Sequence, residues 1–552
     1  MITTLIGQLY PNAVNDVLGA IAQLTSKYGN GEEKAVGLTH EDCILITYGD
    51  SIWQEHEKPL VTLKRFADSY FSDVINTIHV LPCFPYSSDD GFSVMDYYQI
   101  NPDLGDWQHI ASLGEHFDLM FDAVVNHISQ KSVWFAKFLK GEQPYSGFFI
   151  EADPSQDYSR VVRPRALPLL HAFEKQQSEV YVWTTFSRDQ VDLNYANHKV
   201  FIQVLDVLLF YASKGAKYIR LDAIAFLWKQ LGTSCIHLTE THLIIQAYRK
   251  VLEAVYPNIV LITETNVPHA ENISYFGNGQ NEAHMVYNFT LPPLLAYSVH
   301  KENVDVLTAW AKNLQLPDNA CFFNFTASHD GVGVRPLQGI VSVEEIDFLA
   351  QKAEEHGGFV SYKDNGDGTK SPYELNCNYL NLLSHPSDPN HLKVQRFLLT
   401  QSVMLCMPGV PGIYYHSILG SQNDKKAAMA SGIHRRINRE KLHVEILQQA
   451  LDAQASFRAS VYHAYRNLLK VRISEKAFHP HGRAGYRQQG AVFMVERHFE
   501  GETILGVHNF ASQAVRFKLP EVKMVNILQP LENSVELTKL PPFGFKWLKE
   551  GT

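Results

Sequence analysis

Three short apolar runs in this 552-residue sequence end on carboxylates. Tyr218–Leu221 leads into Asp222, Ile259–Ile262 leads through Thr263 into Glu264, and Cys321–Phe325 leads within a few residues into His329 and Asp330. Buried strands of a parallel sheet read as near-continuous hydrophobic runs. Acids at the carboxyl ends of such strands stand where α/β barrels keep their active sites. A single strand-end acid is more simply a turn or capping residue. Three of them, two with further polar groups beside them, point to chemistry. Two carboxyls flanking a sugar bond, one a nucleophile and one a general acid, make a retaining glycosyl-transfer centre. Arg220, two residues before Asp222, falls on the same strand face and can keep that carboxyl ionised by opposing charge; its plainer reading is a buried ion pair.

The elements that must position these residues follow an α/β order. From about Cys43 to Leu469, strand-like runs alternate with helical patterns, which predicts a parallel α/β architecture. Strands are expected at Ile44–Thr47, Thr77–Pro82, Leu119–Val125, Tyr218–Leu221, Val260–Thr263 and Cys321–Phe325, with Lys199–Ser213 and Thr241–Val255 the clearest helices and residues 1–40 a helical lead-in. Two intervals break the alternation: Ser129–Tyr195, and Gly331–Leu383 with its loop-like KDNGDGTKSP. Loops longer than ~15 residues inside a compact domain are usually functional or subdomains, so both are read as insertions at the catalytic face. After about Ala477, short alternating runs (AVFMVERHF, ETILGVHNF, AVRFKLP, FGFKWL) predict an antiparallel β domain. The expected division is barrel at 1–128, 197–330 and 385–476, insertions at 129–196 and 331–384, and a β domain at 477–552.

The stretches DAVVNH (122–127), QVDLNYAN (190–197), RLDAIAF (220–226), ITETN (262–266) and TASHDG (326–331) stand in order, downstream of DDGFSVMDYYQINPDLGDW (89–107). On these the chain resembles the α-amylase clan of glycoside-active barrels. RPRALPLL (163–170), GTSCIHL (232–238), LPPLL (291–295), PGVPGIYY (408–415) and RRINRE (435–440) extend the resemblance to the sucrose phosphorylase branch over nearly the whole chain. That resemblance implies a (β/α)8 TIM barrel whose Asp222 forms a covalent glucosyl ester. Glu264 serves as acid and then base, and Asp330 holds the 2- and 3-hydroxyls of the glucosyl unit. It also implies that His127 and His329 donate to glucose hydroxyls, that Asp89 and Arg439 clamp the far side of the sugar, and that Phe92 lies against its apolar face. Arg165 and Tyr373 match the branch's phosphate contacts. Inorganic phosphate is then a co-substrate, with no other cofactor and no metal; Asn126 matches a calcium ligand of some amylases, but the phosphorylase branch does not depend on that ion.

Two positions depart from the sucrose-active pattern. Phe226 stands where those enzymes have Tyr, and Glu374 where they have Gln. YSSDDGFSVMDY (86–97), FLWKQLGTSCIHLTETHLII (226–245) and ETNVPHAENISYFGNG (264–279) are similar to the glucosylglycerate phosphorylase group. The implied activity is that of a hexosyltransferase: reversible phosphorolysis of a small α-glucoside, foremost 2-O-α-glucosylglycerate. Sucrose phosphorylase, glucosylglycerol phosphorylase and a water-using α-glucosidase are the alternatives, and a non-catalytic sugar-binding barrel is the distant one. An anionic acceptor calls for a cation at its site, for which Lys229 is a candidate. A Glu374 facing glycerate must turn onto hydroxyls or pair with a nearby Arg or Lys.

Bulk properties fit this reading. Net charge is −10, with no basic run, which excludes nucleic acid or anionic membrane as main partner. The six cysteines are scattered without CxxC or zinc spacing. The apolar stretch Phe397–Tyr415 is interrupted by Gln401, Pro408 and Pro411, so it is not expected to span a membrane. With no basic residue before Lys27, the expected home is the cytoplasm. The expected assembly is a monomer or homodimer.

Overall fold

The computed structural model describes residues 2–29, 37–165, 167–365, 368–519, 523–530 and 537–550. Eight parallel strands close into a barrel in chain order. They are β1 (Ile44–Thr47), β2 (Thr77–Val80), β3 (Asp118–Ala123), β4 (Ala216–Leu221), β5 (Val260–Thr263), β6 (Met285–Tyr287), β7 (Cys321–Asn324) and β8 (Gly409–Tyr414). Every residue of β1, β2, β5 and β7 is buried, as expected for strands flanked by helices on one side and a packed interior on the other.

Six strands fall where the apolar runs predict them; β6 and β8 do not stand out in the sequence. β6 is three residues long. β8 reads GVPGIY, and Gly and Pro inside a run argue against a central strand. The structure supplies the reason for one glycine: a Cβ on Gly412 would lie 2.3 Å from the Phe323 ring of β7. Only a residue without a side chain lets the two strands approach there.

Register positions the chemistry. Arg220 of β4 lies opposite Asp122 of β3 on one side and Ile262 of β5 on the other. Leu221 pairs with Thr263, so Asp222 and Glu264 emerge level with each other from adjacent strand ends.

Between β3 and β4 the first inserted segment forms two antiparallel pairs, His127–Ser129 with Gln190–Asp192 and Leu170–Lys175 with Ser178–Trp183. Between β7 and β8 the second forms a three-stranded sheet (Val332–Gly333, Lys370–Asn376, Phe359–Asp364) and the helix Val343–Glu355. KDNGDGTKSP is thus largely a hairpin rather than a loop, with 366–367 outside the described residues; so are Ala166 of RPRALPLL, Pro520 of AVRFKLP and 30–36 of the lead-in. The lead-in is two helices, Ile2–Leu9 and Val14–Tyr28.

The C-terminal segment builds a five-stranded sheet in the order Arg483–Gln489, Val492–Phe499, Glu502–Asn509, Phe545–Glu550, Met524–Asn526, antiparallel throughout. It packs on the helix Asn390–Cys406, where Trp547 Nε1 donates to Ser402 Oγ at 2.9 Å. The apolar stretch Phe397–Tyr415 is therefore the end of this helix plus β8. Among the described residues, no helix is long and apolar enough to cross a membrane.

Candidate active site

Asp222 and Glu264 lie buried at the ends of adjacent strands. Arg220 Nη1 lies 2.8 Å from Asp222 Oδ1 and also bonds Asp122, while its Nη2 is 3.9 Å from Glu264 Oε1. Asp122 in turn pairs with His79 of β2, Nε2 to Oδ2 at 2.6 Å. Arg220 is thus fixed by the strand register and a buried acid–imidazole pair before it reaches the site. Glu264 Oε2 accepts the Ala223 N–H at 3.1 Å. Ala223 adopts φ 49°, a left-handed conformation that is strained for a residue with a Cβ and turns its amide toward the carboxylate.

Asp330 faces this pair with a different set of neighbours. Its Oδ1 is 2.6 Å from Arg435 Nη1 and 3.6 Å from Arg439 Nη2, and its Oδ2 is 3.4 Å from His329 Nε2. Arg435 also forks onto Glu374, with Nε–Oε1 at 2.9 Å and Nη2–Oε2 at 2.6 Å. Glu374 therefore takes the pairing alternative open to it. Arg435 joins the two carboxylates and is the candidate site residue that the sequence left unassigned; RRINRE contains it, but nothing in the spacing singles it out.

Asp89 and Arg439, the residues expected to clamp the far side of the sugar, take different ion-pair partners. Arg439 pairs with Asp90 at 2.8 Å, and Arg436 pairs with the same carboxylate at 2.7 Å. Asp89 instead accepts from Arg165 at 3.0 Å and from Gln190 at 3.1 Å. Adjacent acids in DDG cannot be told apart by sequence; both take positive φ, 55° and 47°, and the turn sends them to different arginines. A cavity of about 500 Å³ lies on the outer side of Arg439 and Asp90, lined also by Tyr48, Tyr86 and Lys441.

The remaining residues are placed as follows. Phe92 stacks on His329, with centroids 4.7 Å apart and planes within 4°. His127 Nε2 lies 3.0 Å from the Phe92 carbonyl, and Asn126 Nδ2 lies 3.2 Å from its Nδ1, so both ring nitrogens already have neighbours. Tyr373 and Phe226 line a recess together with Glu264. Arg165 lies over the Phe186 ring at 5.6 Å. Lys229 does not line that recess: its ammonium is buried against Asp192 at 2.7 Å and Asn126 Oδ1 at 2.8 Å.

Electrostatics separate the three acids. Burial drives Asp222 upward, more than Arg220 draws it back, with Glu264, Asp122 and Asp330 adding to the rise. Burial raises Glu264 as well, reinforced by Asp330 and opposed by Arg220 and the Ala223 amide. Asp330 goes the other way: against the cost of burial, Arg435, His329, Arg439 and Arg220 hold it well below the usual carboxylate range. Asp222 and Glu264 thus titrate as a pair, and the direct Arg220 contact favours the charge on Asp222 and the proton on Glu264.

This constellation can attack a sugar carbon with one carboxyl, protonate an oxygen with a second and bind hydroxyls with a third. The α-amylase catalytic domain model matches residues 70–332. The chain is 43% identical over 512 residues to glucosylglycerate phosphorylase of Escherichia coli (strain K12), covering 92% of each chain. It is 48% identical over 455 residues to that of Spirochaeta thermophila, covering 82% of this chain and 77% of the other. The chain belongs to the glucosylglycerate phosphorylase family. Among solved structures it resembles the sucrose 6F-phosphate phosphorylase of Thermoanaerobacter thermosaccharolyticum, with a TM-score of 0.75 at 25% identity over 87% of this chain and 94% of that one. Membership makes this a glycosyl-transferring enzyme of the phosphorylase type.

Proposed function

We propose that the protein phosphorolyses 2-O-α-glucosylglycerate, reversibly, to α-glucose 1-phosphate and glycerate. The observation that carries this reading is the level placement of Asp222 and Glu264 on adjacent strand ends, opposite Asp330, in a chain of this family. Asp222 attacks the anomeric carbon while Glu264 protonates the departing glycerate oxygen. Phosphate then enters the vacated side, loses a proton to Glu264 and displaces Asp222. Two inversions at one carbon retain the α-configuration. Asp330, held ionised by its arginines, accepts from the 2- and 3-hydroxyls. Arg439, paired with Asp90, closes the far side of the glucosyl pocket together with Asp89, and Phe92, His127 and His329 complete its wall. Arg165 and Tyr373 bind the incoming phosphate; Arg165 reaches over Phe186 from the first insertion.

Glu374 supports glycerate over sucrose by acting through Arg435 rather than on the acceptor, which removes the repulsion between two carboxylates. Initial rates on glucosylglycerate, glucosylglycerol, sucrose and sucrose 6'-phosphate at saturating phosphate test the assignment. The expected order puts glucosylglycerate first by orders of magnitude, because a site built for one acceptor's polar groups rejects analogues that leave them unpaired. Sucrose coming out highest would overturn it.

A further inference from the structure

The cations around the pocket are nearly all matched by carboxylates: Arg165 by Asp89, Arg435 by Asp330 and Glu374, Arg436 and Arg439 by Asp90, and Lys229 by Asp192. Arg335 is different. It lines the same recess as Glu264, Phe226, Asn266 and Tyr373, yet its guanidinium has no carboxylate partner among the described residues, and its Nε is buried without a hydrogen bond. Its backbone is held in place: Val334 N–H donates to the Tyr373 carbonyl at 3.1 Å, and Gln338 N–H to the Arg335 carbonyl at 3.0 Å. Gly333 lies so close to Asn266 that a Cβ there would meet its amide at 2.4 Å. The short helical turn Arg335–Leu337, which follows the Val332–Gly333 strand, is thereby fixed near the segment carrying Glu264.

We propose that Arg335 binds the carboxylate of the glycerate acceptor in the recess beside Glu264. This rests on the glucosylglycerate reading and names the residue that would select an acid over a neutral polyol. A guanidinium presents two parallel N–H donors that match a carboxylate bidentately. One unmatched positive charge receives one negative charge, so binding removes an imbalance instead of creating one. Lys363, on the Phe359–Asp364 strand, is consistent with this: burial and the charge of Arg335 both disfavour its ammonium form, and an anion bound at Arg335 would relieve that. Phosphate is also an anion and follows glycerate into the recess, so the test must separate the two.

The experiment measures kcat/KM of Arg335→Gln for glucosylglycerate and for glucosylglycerol, and the apparent KM for phosphate with each. The expected result is a loss of roughly 30-fold or more on glucosylglycerate, little change on glucosylglycerol, and an unchanged phosphate KM. Arg335→Lys should recover part of the loss, and the melting temperature should stay put, since the side chain has no ion-pair partner among the described residues. Equal losses on both glucosides with a raised phosphate KM would assign Arg335 to phosphate and overturn the proposal. An unaltered preference in Arg335→Gln, with wild type active on glucosylglycerate, would overturn it while leaving the proposed function standing. Wild type inactive on glucosylglycerate would remove both.

Discussion

Asp222 and Glu264 have nearly the same surroundings, and they differ by about 1 Å in reach to Arg220, 2.8 against 3.9 Å, on which the proposed roles of nucleophile and acid rest. Replacing Asp222 by Asn removes the oxygen proposed to form the ester. Turnover should fall roughly 10⁴-fold or more with the fold intact, read by steady-state rates and a melting curve; substantial residual activity would place the nucleophile elsewhere. Glu264→Gln should be partly rescued by donors with good leaving groups, whose departure needs no acid. Because burial raises the Glu264 pKa, wild-type kcat/KM should fall as pH climbs through a value above the ordinary carboxylate range, and this alkaline limb should vanish in Glu264→Gln assayed with an activated donor. The stability sign follows: a carboxyl raised on folding contributes stability below its unfolded pKa and loses it as pH rises through the folded one. Glu264→Gln should therefore melt higher than wild type above that window and no higher below it. Glu374→Gln tests the buried fork on Arg435. Breaking a buried ion pair costs roughly 3–5 kcal/mol when the remaining charge is stranded; Arg435 keeps Asp330, so the lower end is expected, as a fall in both melting temperature and kcat/KM for glucosylglycerate. No change in either would show that Glu374 does not hold Arg435 in place.

At the scale of elements, the two inserted segments bring side chains from distant parts of the chain to one recess: Pro164 and Phe186 from the first, with Arg165 over the Phe186 ring, and Arg335 and Tyr373 from the second. Arg165→Ala should weaken phosphorolysis much more than formation of the glucosyl enzyme. Losing a charge-assisted contact to a buried anion costs ~2–5 kcal/mol, or about 30-fold and upward in the apparent phosphate affinity, and hydrolysis should take a larger share of turnover. An unchanged phosphate affinity would leave Arg165 as the partner of Asp89 alone. These segments also mark where sequence legibility stops. Asp222, Glu264 and Asp330 could be read because apolar β-runs lead into them. The separate partners of Asp89 and Asp90, the Arg435 fork and the unmatched charge of Arg335 depend on how a turn or a hairpin folds back over the barrel, which no local pattern encodes. The same holds for Lys229, a candidate cation for an anionic acceptor in the sequence, whose contacts are with Asp192 and Asn126.

Over the whole molecule, the barrel was legible through strands with continuous apolar runs, and β6 and β8 were not, because one is too short and the other is punctuated by Gly and Pro. The base of the barrel is tied by two buried arginines. Arg472 donates to the carbonyls of His40 and Gly409, beside β1 and β8, and Arg497 donates to those of Cys406 and Met407 from the C-terminal sheet. Arg472→Ala strands these acceptors at about 1–3 kcal/mol each and should lower the melting temperature without altering KM for either substrate. On this scaffold a glucosyl unit is proposed to pass from glucosylglycerate to phosphate through Asp222. An NMR time course of the purified enzyme with glucosylglycerate and phosphate decides the matter. The predicted result is α-glucose 1-phosphate as first product, with glycerate released in equal amount and only when phosphate is present. Appearance of the β-anomer first, or of free glucose at the same rate without phosphate, would contradict it.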